Sequence, residues 1–123
     1  MNPGVTASKM EREIGRWDSG HPGPTLLITG GVHGNEPAGF HAAQRVIKEL
    51  RNRAPAIRGR VIALAGNLAA LEAGCRFIDR DLNRGWDQES IAAVNQRSGK
   101  ERLSEDREQT ELLESFVEIE RSV

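Results

Sequence analysis

The chain has 123 residues, enough for one domain, and a domain of that length buries roughly two-thirds of the surface its unfolded chain exposes. Its 17 Lys and Arg stand against 18 Asp and Glu, a formal net charge of −1 with neither sign massed in one segment, which argues against a nucleic-acid or membrane-surface partner. Cys75 is the one cysteine and has no internal disulfide partner. No apolar stretch reads as a signal peptide or a bilayer span, so a reducing, cytoplasmic setting is expected.

Hydrophobic content of 37% and a mean hydropathy of −0.52 are low for an α/β domain, whose parallel strands need cover on both faces. The polar excess lies in the C-terminal third. At the other end, Lys9 to Trp17 mixes charged and apolar residues before the turn-rich Asp18 to Pro24, the pattern of a short edge strand or hairpin. Leu26, Leu27 and Ile28 form a continuous apolar run between Pro24 and Gly30, which predicts a buried parallel strand.

Pro37 suits a first helical position, and Ala43, Val46, Ile47 and Leu50 recur at i, i+3, i+4, i+7, so an amphipathic helix is expected to end near Asn52. Val61 to Ala65, closed by Gly66 and Asn67, reads as a second buried strand, and strand, helix, strand is a βαβ unit. Leu68 to Ala73 fits a helical turn. The charged segment CRFIDRDLNR at Cys75 to Arg84 is anchored by Phe77, Ile78 and Leu82. A polar loop is predicted over about 85–104 and a C-terminal helix over about 105–121, with Glu105 and Asp106 at its start and Leu112, Leu113, Phe116 and Val117 on one face. A helix of that kind normally leads into another strand, so residues 1–123 read as a single partial α/β domain.

Two segments carry chemistry. In GGVHGNEPAG, Gly30 to Gly39, the glycines let the loop turn sharply and aim the imidazole of His33 and the carboxylate of Glu36 at one point. That pair suits a borderline-soft divalent metal, zinc above all. The bland alternative is an ordinary helix N-cap at Asn35 or Glu36, worth about 1 kcal/mol. A phosphate-cradling loop is the weaker rival, since no Lys followed by Ser or Thr closes the loop and Glu36 would repel an anion. Neither remaining histidine suits a third metal ligand. His21 lies across a strand about 16 Å long from His33, and His41 lies about one and a half helical turns beyond Glu36. Two ligands alone hold zinc weakly, so a third is expected from residues absent here or from another chain.

In the second segment, Arg76, Asp79, Arg80, Asp81, Asn83 and Arg84 read either as a solvated turn stitched by weak surface ion pairs or as an anion grip. Arginine presents a planar fork to a carboxylate, and an Asn amide adds a further contact.

Together GGVHGNEPAG, Gly66–Asn67 and RFIDRDLNR at Arg76 to Arg84 resemble the succinylglutamate desuccinylase and aspartoacylase family of zinc carboxypeptidase-like hydrolases, over about residues 25–84. The resemblance implies an incomplete mixed sheet with helices on both faces. It also implies one Zn2+ per complete site, with His33 and Glu36 as the metal ligands. Arg76 matches the catalytic arginine that polarises the scissile carbonyl, Asn83 and Arg84 match the pair that holds the substrate carboxylate, and Asp81 matches the acid that braces the loop. The family's third-ligand histidine and water-activating glutamate have no match here.

Two readings follow. The first is a zinc-dependent hydrolase cleaving the amide or ester bond of an N-acyl amino acid or similar small carboxylate, with this chain inactive by itself. The second is a non-catalytic remnant acting as a small-carboxylate binding or interaction module. Unpaired edges of an incomplete sheet also predict self-association.

Overall fold

The computed structural model describes residues 10–123, so Lys9 lies outside the described residues. Three strands, β1 (Glu13–Asp18), β2 (Thr25–Gly30) and β3 (Arg60–Ala65), form a mixed sheet in the order β1-β3-β2. β1 runs antiparallel to β3 with a register shift between Glu13 and Gly15, and β2 runs parallel to β3 from Thr25 opposite Arg60 to Gly30 opposite Ala65. The expected edge strand is β1. The expected strand–helix–strand unit is β2, helix α1 (Ala38–Arg53) and β3.

β3 is central, and its alternation sorts the core into two layers. Val61 and Ala63 face α1, where Ala43 and Ile47 are buried and Trp17 and Ile28 close the edges. Ile62 and Leu64 face the other way, onto Leu82 and onto Leu112 of helix α4 (Ser104–Arg121), with Phe116 and Ile119 alongside. Helices therefore cover both faces of β3. Fully burying one aliphatic side chain of this kind contributes about 1.5–3 kcal/mol, so this strand is the main source of core stability. No helix among the described residues is long and apolar enough to cross a membrane.

β2 departs from the expected buried strand. It is an outer strand, and Leu26 is 58% exposed because nothing among the described residues pairs with its far side. Val46 of α1 is also exposed, and the buried helix face is Phe40, Ala43 and Ile47.

The polar loop expected over 85–104 is corrected by the structure. Helix α3 (Gln88–Gln96) occupies its centre, and Gly99–Glu101 forms a 3-10 turn. Asp87 starts α3 by accepting the Ser90 N–H at 2.9 Å, and Val94, one turn after Ile91, is buried. A single inward residue per turn anchors this helix, too faint a pattern to register as apolar periodicity.

The first two turns of α4 bury Glu105, Asp106, Glu108 and Gln109, against the rule that acids stay exposed unless paired. Each has partners. Asp106 takes Arg97 at 2.7 and 2.8 Å and Arg80 at 3.1 Å. Glu108 takes Arg12 at 2.6 Å and the Leu68 N–H, the first amide of helix α2 (Leu68–Ala73), at 2.8 Å. Arg12 also donates to the carbonyls of Ala65 and Gly66, fastening the end of β3 to α4.

Candidate functional site

The loop from Gly31 to Pro37 leaves the carboxyl end of β2, and the loop from Cys75 to Trp86 follows α2, which itself starts where β3 ends. In open α/β sheets this end is where ligands bind. The two loops touch because residue 34 has no side chain. A Cβ at Gly34 would run into the backbone of Ala70 and Cys75, and the space it leaves lets the Gly34 N–H reach the Arg76 carbonyl at 3.2 Å. Gly31, at φ +82 and packed against Leu71, sets the preceding turn.

His33 sits between two carboxylates. Its Nδ1 lies 3.2 Å from Glu36 Oε2, and its Nε2 lies 2.9 Å from Asp81 Oδ1. The imidazole is only 15% exposed, whereas the Glu36 side chain is 68% exposed at the loop tip. Two acceptors on one ring are satisfied by two protons, or by one proton on Nε2 and a cation on the Glu36 side.

Asp81 serves three partners at once. Its Oδ1 also accepts the Asn83 N–H at 2.9 Å, and its Oδ2 lies 3.6 Å from Arg76. The Asn83 amide first, then the His33 hydrogen bond, hold the Asp81 carboxyl below the usual carboxylate range against the opposing effect of burial, with the charge of Arg76 adding to them. Asp81 is therefore an acceptor at neutral pH.

The six sequence-derived site residues divide accordingly. His33, Glu36, Asp81 and Arg76 form one contact chain. Asn83 and Arg84 ride on the same loop, tied to it through their backbone N–H groups on the Asp81 side chain and carbonyl, with their own side chains exposed. Asn83 also borders a cavity of about 180 Å³ walled by Thr29, Val32, Leu82 and Trp86. His21 is exposed in the turn before β2, and His41 contacts Gln44 on α1, so neither joins the cluster. No group of three or more His, Cys, Asp or Glu arranged to hold a metal was found among the described residues.

Sequence reasoning missed Glu105. It is fully buried, 25 to 27 positions past the loop residues it contacts, and it accepts three consecutive loop amides. An acid in a helix's first turn reads as a dipole partner, and no local pattern reveals a carboxylate used at such range.

The fold and cluster define an α/β domain that gathers an imidazole, two carboxylates and a guanidinium at the carboxyl ends of its parallel strands. The chain belongs to the succinylglutamate desuccinylase/aspartoacylase catalytic domain family, whose model matches residues 22–121. Among curated proteins it is 39% identical to a succinylglutamate desuccinylase of Pseudomonas putida over 72 residues, 58% of this chain and 22% of that protein. It is 37% identical to one of Pseudomonas paraeruginosa over 62 residues, 50% of this chain and 19% of that protein. It is 33% identical to one of Paraburkholderia xenovorans over 60 residues, 49% of this chain and 18% of that protein. The aligned stretch thus spans about a fifth of these relatives' length. No solved structure matches.

Proposed function

We propose that the chain carries one wall of a zinc-dependent deacylase site that hydrolyses an N-acyl amino acid, in the manner the relatives' name describes for succinylglutamate. The observation behind this reading is the placement of His33 between Glu36 and Asp81. Two ligands each about 2.0–2.1 Å from a tetrahedral zinc stand about 3.3 Å from one another, and His33 Nδ1 and Glu36 Oε2 are 3.2 Å apart. On the opposite nitrogen, a carboxylate accepting Nε2–H is the usual support of a metal-binding histidine. The pair therefore fits two of the three protein ligands a catalytic zinc takes, on the Glu36 side. When bound, zinc supplies Lewis-acid polarisation of a carbonyl and activation of water.

The chain's own residues do the rest of the positioning. Asp81 fixes the His33 tautomer with Nδ1 free to ligate. Arg76, 54% exposed beside Asp81, offers positive charge to an oxyanion as it develops. Asn83 and Arg84, with exposed side chains, grip the substrate carboxylate, Arg84 through the two parallel donors of its fork. A third ligand and the group that takes the proton from water lie outside the residues assigned here. Residues 1–123 act in this reading as a partial catalytic domain for a small-molecule carboxylate substrate.

Thermal unfolding tests the reading. Zinc is expected to raise the melting temperature of a longer form that supplies the third ligand, and His33→Ala to remove the shift. A zinc shift that survives in His33→Ala rejects the metal assignment. N-succinylglutamate binding in the complete absence of zinc, with His33→Ala equal to wild type, favours the non-catalytic carboxylate module instead.

A further inference from the structure

Residues 76–84 contain neither helix nor strand, so the shape of this loop depends on where its backbone donors go. Three consecutive amides go to one side chain. Ile78 N–H donates to Glu105 Oε2 at 2.8 Å, and those of Asp79 and Arg80 donate to Oε1 at 2.8 and 3.0 Å. The fourth donor is Asn67 Nδ2, 2.8 Å from Oε2. Successive amides turned towards one point form a concave nest that binds an anion, here the Glu105 carboxylate. Glu105 is fully buried, and no Lys or Arg pairs with it among the described residues. Burial pushes its carboxyl up, but the Asn67 amide and the three loop amides outweigh this and hold it below its ordinary range.

A first-turn acid that serves only the helix dipole stays at the surface, where it keeps its hydration. Glu105 gives up that hydration entirely, and what replaces it is the loop. The same loop reaches the His33 segment twice, through the Arg76 carbonyl on Gly34 and through Asp81 on His33. Asn67, the fourth donor, turns its Oδ1 to the Ala70 N–H at 3.2 Å and so roots the nest in the start of α2 at the end of β3.

We infer that Glu105 is a positioning residue: by gathering the amides of residues 78–80 it sets the place from which Asp81 and Arg76 meet His33. The functional weight of this inference rests on the proposed site, while the geometric part stands on the contacts alone.

The test uses the full chain, isotopically labelled for NMR. Glu105→Gln keeps the side chain's shape but puts an NH2 donor against donors. Amide exchange at Ile78, Asp79 and Arg80 is expected to accelerate at least tenfold while Ile62 and Ala63 in β3 stay protected, and the His33 Nε2 resonance is expected to leave the position Asp81 gives it. Glu105→Asp, with the charge kept but its reach shortened, is expected to lie between wild type and Glu105→Gln, and it replaces Glu105→Gln if that variant does not fold.

Unchanged loop exchange, or an unmoved His33 resonance with a loosened loop, overturns the inference. Failure of both variants to fold also overturns it, assigning Glu105 to global stability. Zinc titration separates this inference from the functional reading. A longer form supplying the third ligand that still ignores zinc sinks the metal site, yet the exchange data on this chain still decide what Glu105 does.

Discussion

Asp81 Oδ1 lies 2.9 Å from His33 Nε2, a contact that joins two loops 48 residues apart in the chain. It is the join on which the proposed zinc site depends, because it decides which imidazole nitrogen is left to face Glu36. Asp81→Asn keeps the volume and removes the charge that favours Nε2–H. Zinc affinity measured by calorimetry is expected to fall about 10- to 100-fold, the usual cost of losing such a support. An affinity within twofold of wild type contradicts the arrangement.

Arg84 is assigned a two-pronged grip on a carboxylate, which lysine's single ammonium does not reproduce. Arg84→Lys is therefore expected to weaken N-succinylglutamate binding at least tenfold at constant net charge, and Arg84→Ala by little more. Calorimetric titrations in which lysine matches arginine dismiss the grip.

Gly34 lets two backbones meet where no Cβ fits. Gly34→Ala is expected to cost about 1–3 kcal/mol in urea denaturation, the range for forced overpacking, and to lower zinc affinity as the loops separate. Wild-type stability in this variant shows that the loops have room to part.

Acid sensitivity is expected to centre on α4. Hydrogen bonding to Arg97, supported by the Leu103 amide and Arg80 against the opposing effect of burial, holds the Asp106 carboxyl far below its ordinary value. Because the folded state resists protonation more than the unfolded chain does, this stabilisation is complete above about pH 4–5 and is lost as pH falls towards the folded value. Asp106→Asn is expected to cost about 2–3 kcal/mol near neutrality, as charged hydrogen bonds do, and to flatten the acid limb of urea midpoints followed from pH 7 to pH 3. Parallel acid limbs in the two proteins refute this.

β2 exposes both Leu26 and an unpaired backbone edge among the described residues. Concentration-dependent self-association of the chain is expected in sedimentation velocity, and Leu26→Lys is expected to reduce it by placing a charge on that strand. A single monomeric species at all concentrations excludes it.

What could be read in advance, and what could not, follows from the range of each interaction. β3 was legible because five successive apolar residues between turn signals are local, and both of its faces are covered as such a run requires. His33 and Glu36 were legible because three residues in a glycine loop fix their proximity, and the resemblance added Asp81, whose contact with His33 the structure displays. Leu26 was misjudged because a parallel strand's apolar run does not say how many neighbours it has. Helix α3 hid behind a single buried Val94. The acids of α4 were legible as a helix start but not as partners for Arg12, Arg80 and the loop amides, since those partners are set by tertiary packing alone.

The grip of Glu105 on residues 78–80 reaches only main-chain atoms, and the side chains of Phe77 and Ile78 stay outside it, 39% and 41% exposed. The frame of this loop is thus indifferent to what those two positions display. Substitutions at those two positions alter only what the loop turns towards solvent, while the skeleton that carries Asp81 to His33 is kept.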